Sequence, residues 1–325
     1  PIAVHDPQVF PQGSFRLGTM IKPINDADEY DIDLVCELKG LPKERTTQKQ
    51  LKGLVGDRLK ANERYRKMLA EGSRCWTLQY ADSARFHMDI LPAIPDHEIN
   101  GLAAMIGTGL AASAILITDK DLHDWQRSNP VGYAEWFKER MRVQFNAKRM
   151  LLAESIRASV EEVPEYKVKT PLQRSIQILK RHRDIMFQND RDDRPISIII
   201  STLAARAYSN EADLLEALQA IVNKMPNLIE RDAQGNALVT NPVNPLENFA
   251  DKWQKHPQRE TNFRSWLQQV RTDLDAALRS GSLRDMTEAL KPGFGDRIVN
   301  EAASKTFPTR SGSASAVTAV APSIH

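Results

Sequence analysis

The chain has 325 residues, of which 41% are hydrophobic, so it can bury a full core and is large enough for an enzyme of two lobes or two domains. Its 44 basic and 42 acidic residues leave a formal net charge of +2, which gives no global footprint for nucleic-acid binding. The two cysteines, Cys36 and Cys75, are too few for a disulfide framework or a structural zinc site and fit a reducing cytosol.

The sequence contains no sign of a membrane or secreted protein. No run approaches the roughly 18 apolar residues of a membrane span, and the start at Pro1 has neither region of a signal peptide. We therefore expect a soluble, cytoplasmic protein that does not contact the membrane. The sequence begins without Met, and only a few residues precede Gly13. We therefore also expect that an N-terminal segment is missing from it.

The segment Gly13–Thr19, GSFRLGT, places two glycines and two hydroxyl side chains close together. In such a loop the bare backbone can approach a polyphosphate, and N–H groups can point at its oxygens. The segment therefore predicts a phosphate-binding loop, and a plain turn is the alternative.

The segment Tyr30–Cys36 alternates apolar and other residues with period two, which predicts a strand. The residues predicted to be buried are Ile32, Leu34 and Cys36. Asp31 and Asp33 would then share the opposite face, where two carboxylates repel unless a divalent cation lies between them. Oxygen-only ligation of this kind suits Mg²⁺, or Mn²⁺ in its place. A solvated acidic face is the alternative.

Charged and apolar residues over 41–68 predict one amphipathic helix after this strand. Strands are predicted at Trp76–Tyr80 and from Arg85, where Phe86, Met88 and Ile90 alternate with other residues and the prolines of 92–95 end the second strand. Asp89 is the acidic residue of that second strand. His87 lies two residues away on the same face and could tune the site, although a packed histidine is the simpler interpretation.

The central part of the chain has weaker functional signals. Gly107–Ala112 matches the pattern GxGxxA, but without a preceding strand we expect no dinucleotide site there. Tyr133 to Val160 predicts a helix with interspersed basic residues, which form either a solvated face or a surface for a polyanion.

Thr170 and Pro171 predict the start of a new helix, as an N-cap followed by Pro at the first helical position. This helix carries Lys180 and Arg183 beside its apolar face. The apolar run from Pro195 to Ala205 is predicted to be a buried helix with Ser197 in its first turn, where the hydroxyl contacts a phosphate or merely caps the helix.

The quoted segments, together with NPVNPLENFADKW, resemble the bacterial cGAS/DncV-like nucleotidyltransferases of anti-phage signalling, within the polymerase-β-like superfamily. The similarity spans roughly residues 11–253. It implies an α+β fold, with a polymerase-β-like core around a mixed sheet and a mostly helical second lobe. The implied organisation is a catalytic lobe at 1–165, a helical lobe at 166–307 and a flexible tail at 308–325, whose small polar composition also favours disorder.

The resemblance also implies the site residues. Three carboxylates, from Asp31, Asp33 and Asp89, would be the catalytic groups and hold two Mg²⁺ ions. The residues that would bind the nucleotide are Gln12, Gly13, Ser14, Lys180 and Ser197. Some relatives have a base-stacking aromatic residue after the serine, whereas this chain has Ile198. Relatives also carry a long helix before the Gly-Ser segment that this sequence lacks.

The implied activity is template-independent synthesis of a cyclic di- or oligonucleotide from ATP, GTP or both, with release of pyrophosphate. The implied partners are an effector protein activated by the product and a regulatory protein. Direct DNA binding is not supported, because the chain lacks the ligands for a zinc-dependent insertion. Two alternatives remain: a transferase that makes linear oligonucleotides or modifies RNA or protein, and a nucleotide sensor without activity.

Overall fold

A computed structural model describes residues 2–23, 30–80, 86–106, 113–121 and 123–306. The chain forms two compact units, Pro1–Thr272 and Asp273–His325. The predicted boundary between catalytic and helical lobes, at 165/166, lies inside the first unit and remains a prediction. The GxGxxA match at 107–112 and the predicted tail at 308–325 lie outside the described residues.

One sheet organises the first part of the chain. Its strands are β1 Pro7–Pro11, β2 Tyr30–Leu38, β3 Leu69–Glu71, β4 Trp76–Tyr80, β5 Phe86–Pro95, β6 Ile115–Ile117 and β7 Gln126–Ser128. The strand order is β1-β2-β5-β4-β3, and β6 pairs with both β5 and β7. Only the β2–β5 pairing of this sheet is parallel. The sheet is therefore mixed, which confirms the predicted α+β class.

The burial of β2 differs from the prediction. Cys36 is buried, but Ile32 and Leu34 are only half-buried, whereas Val35, which was not predicted to be buried, is fully buried. Val35 packs with residues of β5 and β6 on one face of the sheet, and Cys36 packs in the core on the other face. Both faces of the second half of β2 are thus covered, so period-two alternation describes only its first half.

β5 ends at the second proline of the run 92–95 that was predicted to end it, and not at Pro92. The strand continues to Pro95, because β6 pairs with Ala93–Pro95 along this stretch. The carbonyl of Pro92 still accepts a hydrogen bond, from the backbone N–H of Thr118 at 3.4 Å. A proline removes only a donor from a strand, and here the neighbouring strands supply the pairing.

The helices of this part are α1 Gly13–Leu17, α2 Gln48–Lys60, α3 Glu63–Met68, α4 His97–Ile106 and α5 Pro130–Ile156. The single helix predicted over 41–68 is wrong, because it is divided into α2 and α3. Thr47 and Gln50 form a capping box that starts α2, and the Asn62 side chain accepts from two backbone N–H groups to start α3. Each cap satisfies donors at a helix start and so fixes a boundary that periodicity does not show.

The rest of the chain is mostly helical. Its helices are α6 Pro171–Met186, α7 Ser197–Ala207, α8 Leu214–Lys224, α9 Asp251–Lys255, α10 Pro257–Leu278, α11 Leu283–Phe294 and α12 Asp296–Thr306. Two small ribbons accompany them, with β8 Glu230–Arg231 paired to β9 Ala237–Leu238 and β10 Thr240–Asn241 paired to β11 Asn244–Asn248. The predicted start of α6 is confirmed, with Thr170 and Gln173 as a capping box. Within the described ranges, none of the helices has the length and apolar character needed to cross a bilayer.

Candidate active site

Three carboxylates meet on the polar face of the two central strands. The parallel register of β2 and β5 sets Asp33 opposite Asp89 and Asp31 opposite His87. One carboxylate oxygen from each of Asp31, Asp33 and Asp89 lies within 4.8 Å of the others. The strand register therefore brings together the three acids that the sequence predicted.

Burial and the proximity of other carboxylates oppose the ionisation of Asp31 and Asp33. The pKa of Asp33 is raised to about 7, mainly by burial and then by the charges of Asp31 and Asp89. Burial also raises the pKa of Asp31, although the nearby His87 acts in the opposite direction. A bound divalent cation would relieve this repulsion, and an all-oxygen set of this kind is what Mg²⁺ prefers. The residues therefore fit the predicted metal site.

Two neighbouring side chains orient the outer carboxylates. Thr77, on β4, donates a hydrogen bond from Oγ1 to Oδ1 of Asp89. His87 Nε2 lies 3.4 Å from Oδ1 of Asp31. Thr77 was not predicted as part of the site. The sequence signal that could have indicated Thr77 was the predicted strand Trp76–Tyr80. Pairing of this strand with β5 sets Thr77 opposite Asp89.

The Gly-Ser segment begins a short helix rather than a loop. Gly18 ends α1 in the left-handed conformation at φ 66°. The backbone N–H of Gln12 donates to the carbonyl of Asp33 at 2.9 Å, which fixes the start of α1 against β2. Gly13 has φ 60°, and a Cβ built there would collide with Oδ2 of Asp33. Only glycine therefore allows this close approach of the helix to the carboxylate.

Side chains of α6 fasten the segment that follows α1. Gln173 Nε2 donates to the carbonyl of Leu17 at 2.9 Å, and Gln177 Nε2 donates to that of Met20 at 2.8 Å. Lys180 Nζ lies 3.3 Å from the carbonyl and 3.2 Å from Oγ1 of Thr19. These three residues recur at helical spacing on one face of α6. The lysine is thus placed by the same contacts that place the Gly-Ser segment.

Lys180 is only 3% exposed, yet it lines a cavity. Burial lowers its pKa to about 8, the charge of Arg183 acts in the same direction, and Asp184 and Asp33 oppose them. Ser197 lies in the first turn of α7 as predicted. Its Oγ accepts a hydrogen bond of 2.9 Å from Nη1 of Arg183, a neighbour that the sequence analysis did not assign to the site.

A first cavity of about 610 Å³ lies beside the carboxylates. It is lined by Gly13, Ser14, Asp31, Asp33, His87, Lys180 and Ser197, so it brings together all the predicted site residues except Gln12 and Asp89. Its cationic lining also includes Lys22, Arg183, Arg191 and Arg194. A concentration of positive charge next to an acidic triad suits a triphosphate that shares a metal with the carboxylates.

A second cavity, of about 760 Å³, adjoins the first. The two cavities share Gly13, Leu17, Asp33, Arg194 and Ile198. Gln12 lines this second cavity and not the first. Most of its remaining walls come from the β7–α5 junction and from the β10–β11 ribbon with the helices that follow it, and Arg16, Arg74, Ile117 and Ile196 also contribute. The sequence indicated none of these walls, because they meet only through long-range packing.

Comparison with known proteins identifies the family. Residues 7–92 match the model of the nucleotidyltransferase domain of the DncV-like cyclic GMP-AMP synthases. The chain is 32% identical over 294 residues to the c-di-GMP synthase of Roseivirga ehrenbergii, covering 89% of this chain and 72% of that protein. The chain is a DncV-like nucleotidyltransferase. This result confirms the resemblance and the assignment as an enzyme that the sequence predicted.

Further similarities agree with this family. The cyclic dinucleotide synthase CdnG of Bradyrhizobium diazoefficiens is 28% identical over 321 residues, covering 93% of this chain and 73% of that protein. The structure of this CdnG in complex with GTP superposes with a TM-score of 0.68 at 24% identity, over 92% of this chain and 85% of that one. The Escherichia coli CdnC:HORMA-deltaN complex gives a TM-score of 0.59 at 18% identity, over 89% and 82% of the two chains. The chain therefore shares the fold of these proteins.

Proposed function

We propose that the chain is a Mg²⁺-dependent, template-independent nucleotidyltransferase that joins ATP, GTP or both into a cyclic di- or oligonucleotide and releases pyrophosphate. One observation carries the proposal: Asp33 of the acidic triad borders two cavities of nucleotide size, which also share Gly13. Such an arrangement suits one nucleotide as donor and another as acceptor on the two sides of the same carboxylates.

The first cavity suits the donor triphosphate. Lys180 and Arg194 line it, so their charges can balance those of the outer phosphates. Ser197 would contact the same phosphates through its hydroxyl, and Gly13 and Ser14 would approach them with their backbone. Asp31, Asp33 and Asp89 would hold two Mg²⁺ ions, which lower the pKa of an attacking hydroxyl and neutralise the leaving pyrophosphate when they are bound.

The second cavity suits the acceptor nucleotide. Its ribose hydroxyl would attack the α-phosphorus of the donor, so that one O–P bond forms, the bond to pyrophosphate breaks and the hydroxyl proton passes to solvent. Gly13 permits this approach, because it places no side chain in front of Asp33. A second reaction of the same type, within the linear product, would close the ring.

The names of the relatives support the cyclic product. The Roseivirga protein is a c-di-GMP synthase and the Bradyrhizobium protein is a cyclic dinucleotide synthase whose structure contains GTP. A purine cyclic dinucleotide is therefore the favoured product. The CdnC:HORMA-deltaN complex supports a regulatory partner protein. A role in anti-phage signalling in the cytoplasm, through an effector that the product activates, completes the proposal.

The proposal is tested by incubating the chain with all four NTPs and Mg²⁺, followed by phosphatase treatment and mass spectrometry. We expect pyrophosphate release and a phosphatase-resistant purine product. A ladder of linear products, or nucleotides attached to RNA or protein, would instead support the second alternative. Nucleotide binding without pyrophosphate release would support a sensor.

Asp33→Asn and Asp89→Ala should abolish product formation while the fold is retained, because each removes a carboxylate whose role is to bind the metal. Asp57→Asn is the matched control, since Asp57 is an exposed residue of α2 outside both cavities. Thermal unfolding of all three variants checks the fold. Unchanged turnover in either of the first two variants would rule out the assignment of the triad.

A further inference from the structure

Glu247 is a carboxylate in the second cavity that the catalytic proposal does not use. It lies on β11 and lines the cavity with its neighbours Leu246 and Asn248. Its Oε2 accepts a hydrogen bond of 2.8 Å from Nδ2 of Asn241, on the paired strand β10. The side chain is therefore held by the ribbon at the wall of the cavity.

The described residues do not supply Glu247 with an ion-pair partner. Within the described part of the chain, the carboxylate of Glu247 accepts a hydrogen bond from the Asn241 amide alone. Arg74, a cation that also lines the second cavity and acts on Glu247 through its charge, is itself bound to Asp119, with Nε to Oδ2 at 2.7 Å. Burial raises the pKa of Glu247 and the charge of Asp251 acts in the same direction, whereas Asn241 and Arg74 act against that shift. A desolvated carboxylate in this position gains from any additional N–H donor.

The ribbon that carries Glu247 is rigidly built. Asn241 is buried, and its Oδ1 accepts from the backbone N–H of Val243 at 3.0 Å. Asn248 Oδ1 accepts from the N–H groups of Val239 at 2.9 Å and Ala250 at 3.0 Å. The side-chain oxygens of Asn241 and Asn248 already accept these backbone hydrogen bonds, so the two asparagines are poorly suited to recognising a ligand. These contacts also fix the carboxylate before a ligand arrives, which lowers the entropic cost of binding.

The chemistry of a fixed carboxylate distinguishes the nucleobases. Guanine presents two adjacent donors, N1–H and the exocyclic N2 amine, on its Watson–Crick edge, and a carboxylate offers only acceptors. Adenine and cytosine each set a donor beside a ring-nitrogen acceptor, and uracil sets one donor between two carbonyls. Each of these three bases would bring a lone pair against the carboxylate. The match is therefore specific for guanine.

We infer that Glu247 selects guanine in the nucleotide of the second cavity, by accepting hydrogen bonds from N1–H and the N2 amine. This inference rests on the proposed function, because it assigns a base to the acceptor. A carboxylate has lone pairs enough to keep the Asn241 contact while it accepts both guanine donors. Glu247 is then a specificity-determining residue of the reaction.

The test compares the binding of GMP and IMP by calorimetry, since IMP lacks only the N2 amine and neither probe can be turned over. IMP should bind the unaltered chain at least roughly tenfold more weakly, as expected for the loss of one hydrogen bond to a charged group. In Glu247→Gln the two affinities should become similar. This comparison remains informative whether or not the chain makes a cyclic product.

Glu230→Gln is the matched control, because Glu230 is an exposed carboxylate of β8 outside both cavities. The GMP/IMP ratio should be unchanged in this variant. Equal affinities in the unaltered chain, which needs no variant to fold, would overturn the inference. Asp251, at the start of α9, is a second carboxylate that lines this cavity. A ratio that survives in Glu247→Gln, or that is lost in Asp251→Asn instead, would overturn the inference as well.

A second readout uses the reaction itself. With equal GTP and ITP, the nucleotide that retains the 5′-triphosphate in the linear intermediate is the acceptor, and mass spectrometry after nuclease treatment identifies it. Guanine should predominate at this end for the unaltered chain and fall to near parity in Glu247→Gln. Absence of pyrophosphate release would contradict the proposed function alone, whereas product with an unchanged end would contradict the role of Glu247.

Discussion

Gly13 shows how a single missing side chain can decide whether the site works. Its φ of 60° belongs to the left-handed region, and an added Cβ would meet Oδ2 of Asp33. Gly13→Ala should therefore reduce pyrophosphate release to background, because either the helix or the carboxylate must move. A shift of about 1 Å in a catalytic group is enough to cost roughly 10²-fold in rate.

Gly53→Ala provides the comparison for Gly13→Ala. Gly53 is in the middle of α2, and nothing lies within 4 Å of a Cβ built there. This variant should keep full activity and gain about 0.5–1 kcal/mol of unfolding free energy, because Ala loses less backbone entropy in a helix. Activity of Gly13→Ala equal to that of Gly53→Ala would contradict the close approach.

Thr77 is expected to act on metal binding through Asp89. Thr77→Val removes the Oγ1 donor but keeps the shape of the side chain, so Oδ1 of Asp89 would lose the hydrogen bond that orients it. We expect the Mg²⁺ affinity to fall roughly tenfold, as is typical when a partner of a metal ligand is removed. Mn²⁺ binding, followed by electron paramagnetic resonance, measures this without turnover.

Thr77→Ser should restore most of the affinity, because it keeps the hydroxyl. If Thr77→Val instead destabilised the fold and left metal affinity intact, the contact would be structural. A loss of affinity in Thr77→Ser but not in Thr77→Val would show that the methyl group, which Ser lacks, matters more than the hydrogen bond.

At the scale of the element, the helix pair α6 and α7 supplies the positive side of the first cavity. Lys180 and Arg183 come from α6, and Ser197 starts α7. Asp184 forms ion pairs with Arg183 of α6 and with Arg194, which precedes α7. Its Oδ1 lies 2.6 Å from Nη2 of Arg183 and 3.5 Å from Nη1 of Arg194. The pair therefore presents its charges in a fixed arrangement before a triphosphate binds.

The lowered pKa of Lys180 predicts a pH dependence of triphosphate binding. With a pKa of about 8 in the free protein, Lys180 is charged near pH 7 and loses its charge as the pH rises through 8. The affinity for a non-hydrolysable GTP analogue should therefore fall between about pH 7.5 and 9. A bound triphosphate stabilises the charged form, so binding near pH 8 should take up a proton.

Calorimetry in buffers of different ionisation enthalpy measures this proton uptake. Lys180→Met removes the ionisable group and should abolish the pH dependence over this range. The same variant should raise the KM for NTP more than it lowers kcat, because a charge on the outer phosphates acts on ground and transition states alike. Equal proton uptake in the variant would assign the titration to another group.

The elements that sequence patterns predicted well are those with local signals. Thr170 and Pro171 mark the start of α6 by capping chemistry, and the structure confirms it. α1 was expected to be a loop because five residues are too few to show a helical period. β1 was missed for a related reason, since it is an edge strand of five residues that begins and ends with proline.

The same division applies to the site. The sequence indicated Asp31, Asp33 and Asp89 because alternation in two strands puts acids on one face. The resemblance to the family then implied that the acids of the two strands act together. Thr77 could have been found only from the register of β4 with β5. Glu247 could not, because its place in the second cavity depends on packing between a ribbon and a sheet far apart in sequence.

At the scale of the whole molecule, the two cavities favour the joining of two nucleotides over the transfer of a nucleotide to RNA or protein. A cyclising enzyme must hold two nucleotides at one acidic triad, whereas an enzyme that modifies RNA or protein needs only one nucleotide site. The cavities of about 610 and 760 Å³ each fall in the range of small-molecule sites. Their shared wall at Gly13 and Asp33 would keep both nucleotides close enough to react.

We therefore expect two molecules of a non-hydrolysable GTP analogue to bind per chain in the presence of Mg²⁺. Calorimetry gives the stoichiometry directly. Lys180→Met should weaken only one of the two binding events, because Lys180 lines the first cavity and not the second, and Glu247→Gln should weaken only the other. A stoichiometry of one, or a loss of both events in Lys180→Met, would contradict separate donor and acceptor cavities and favour transfer of single nucleotides to a macromolecule.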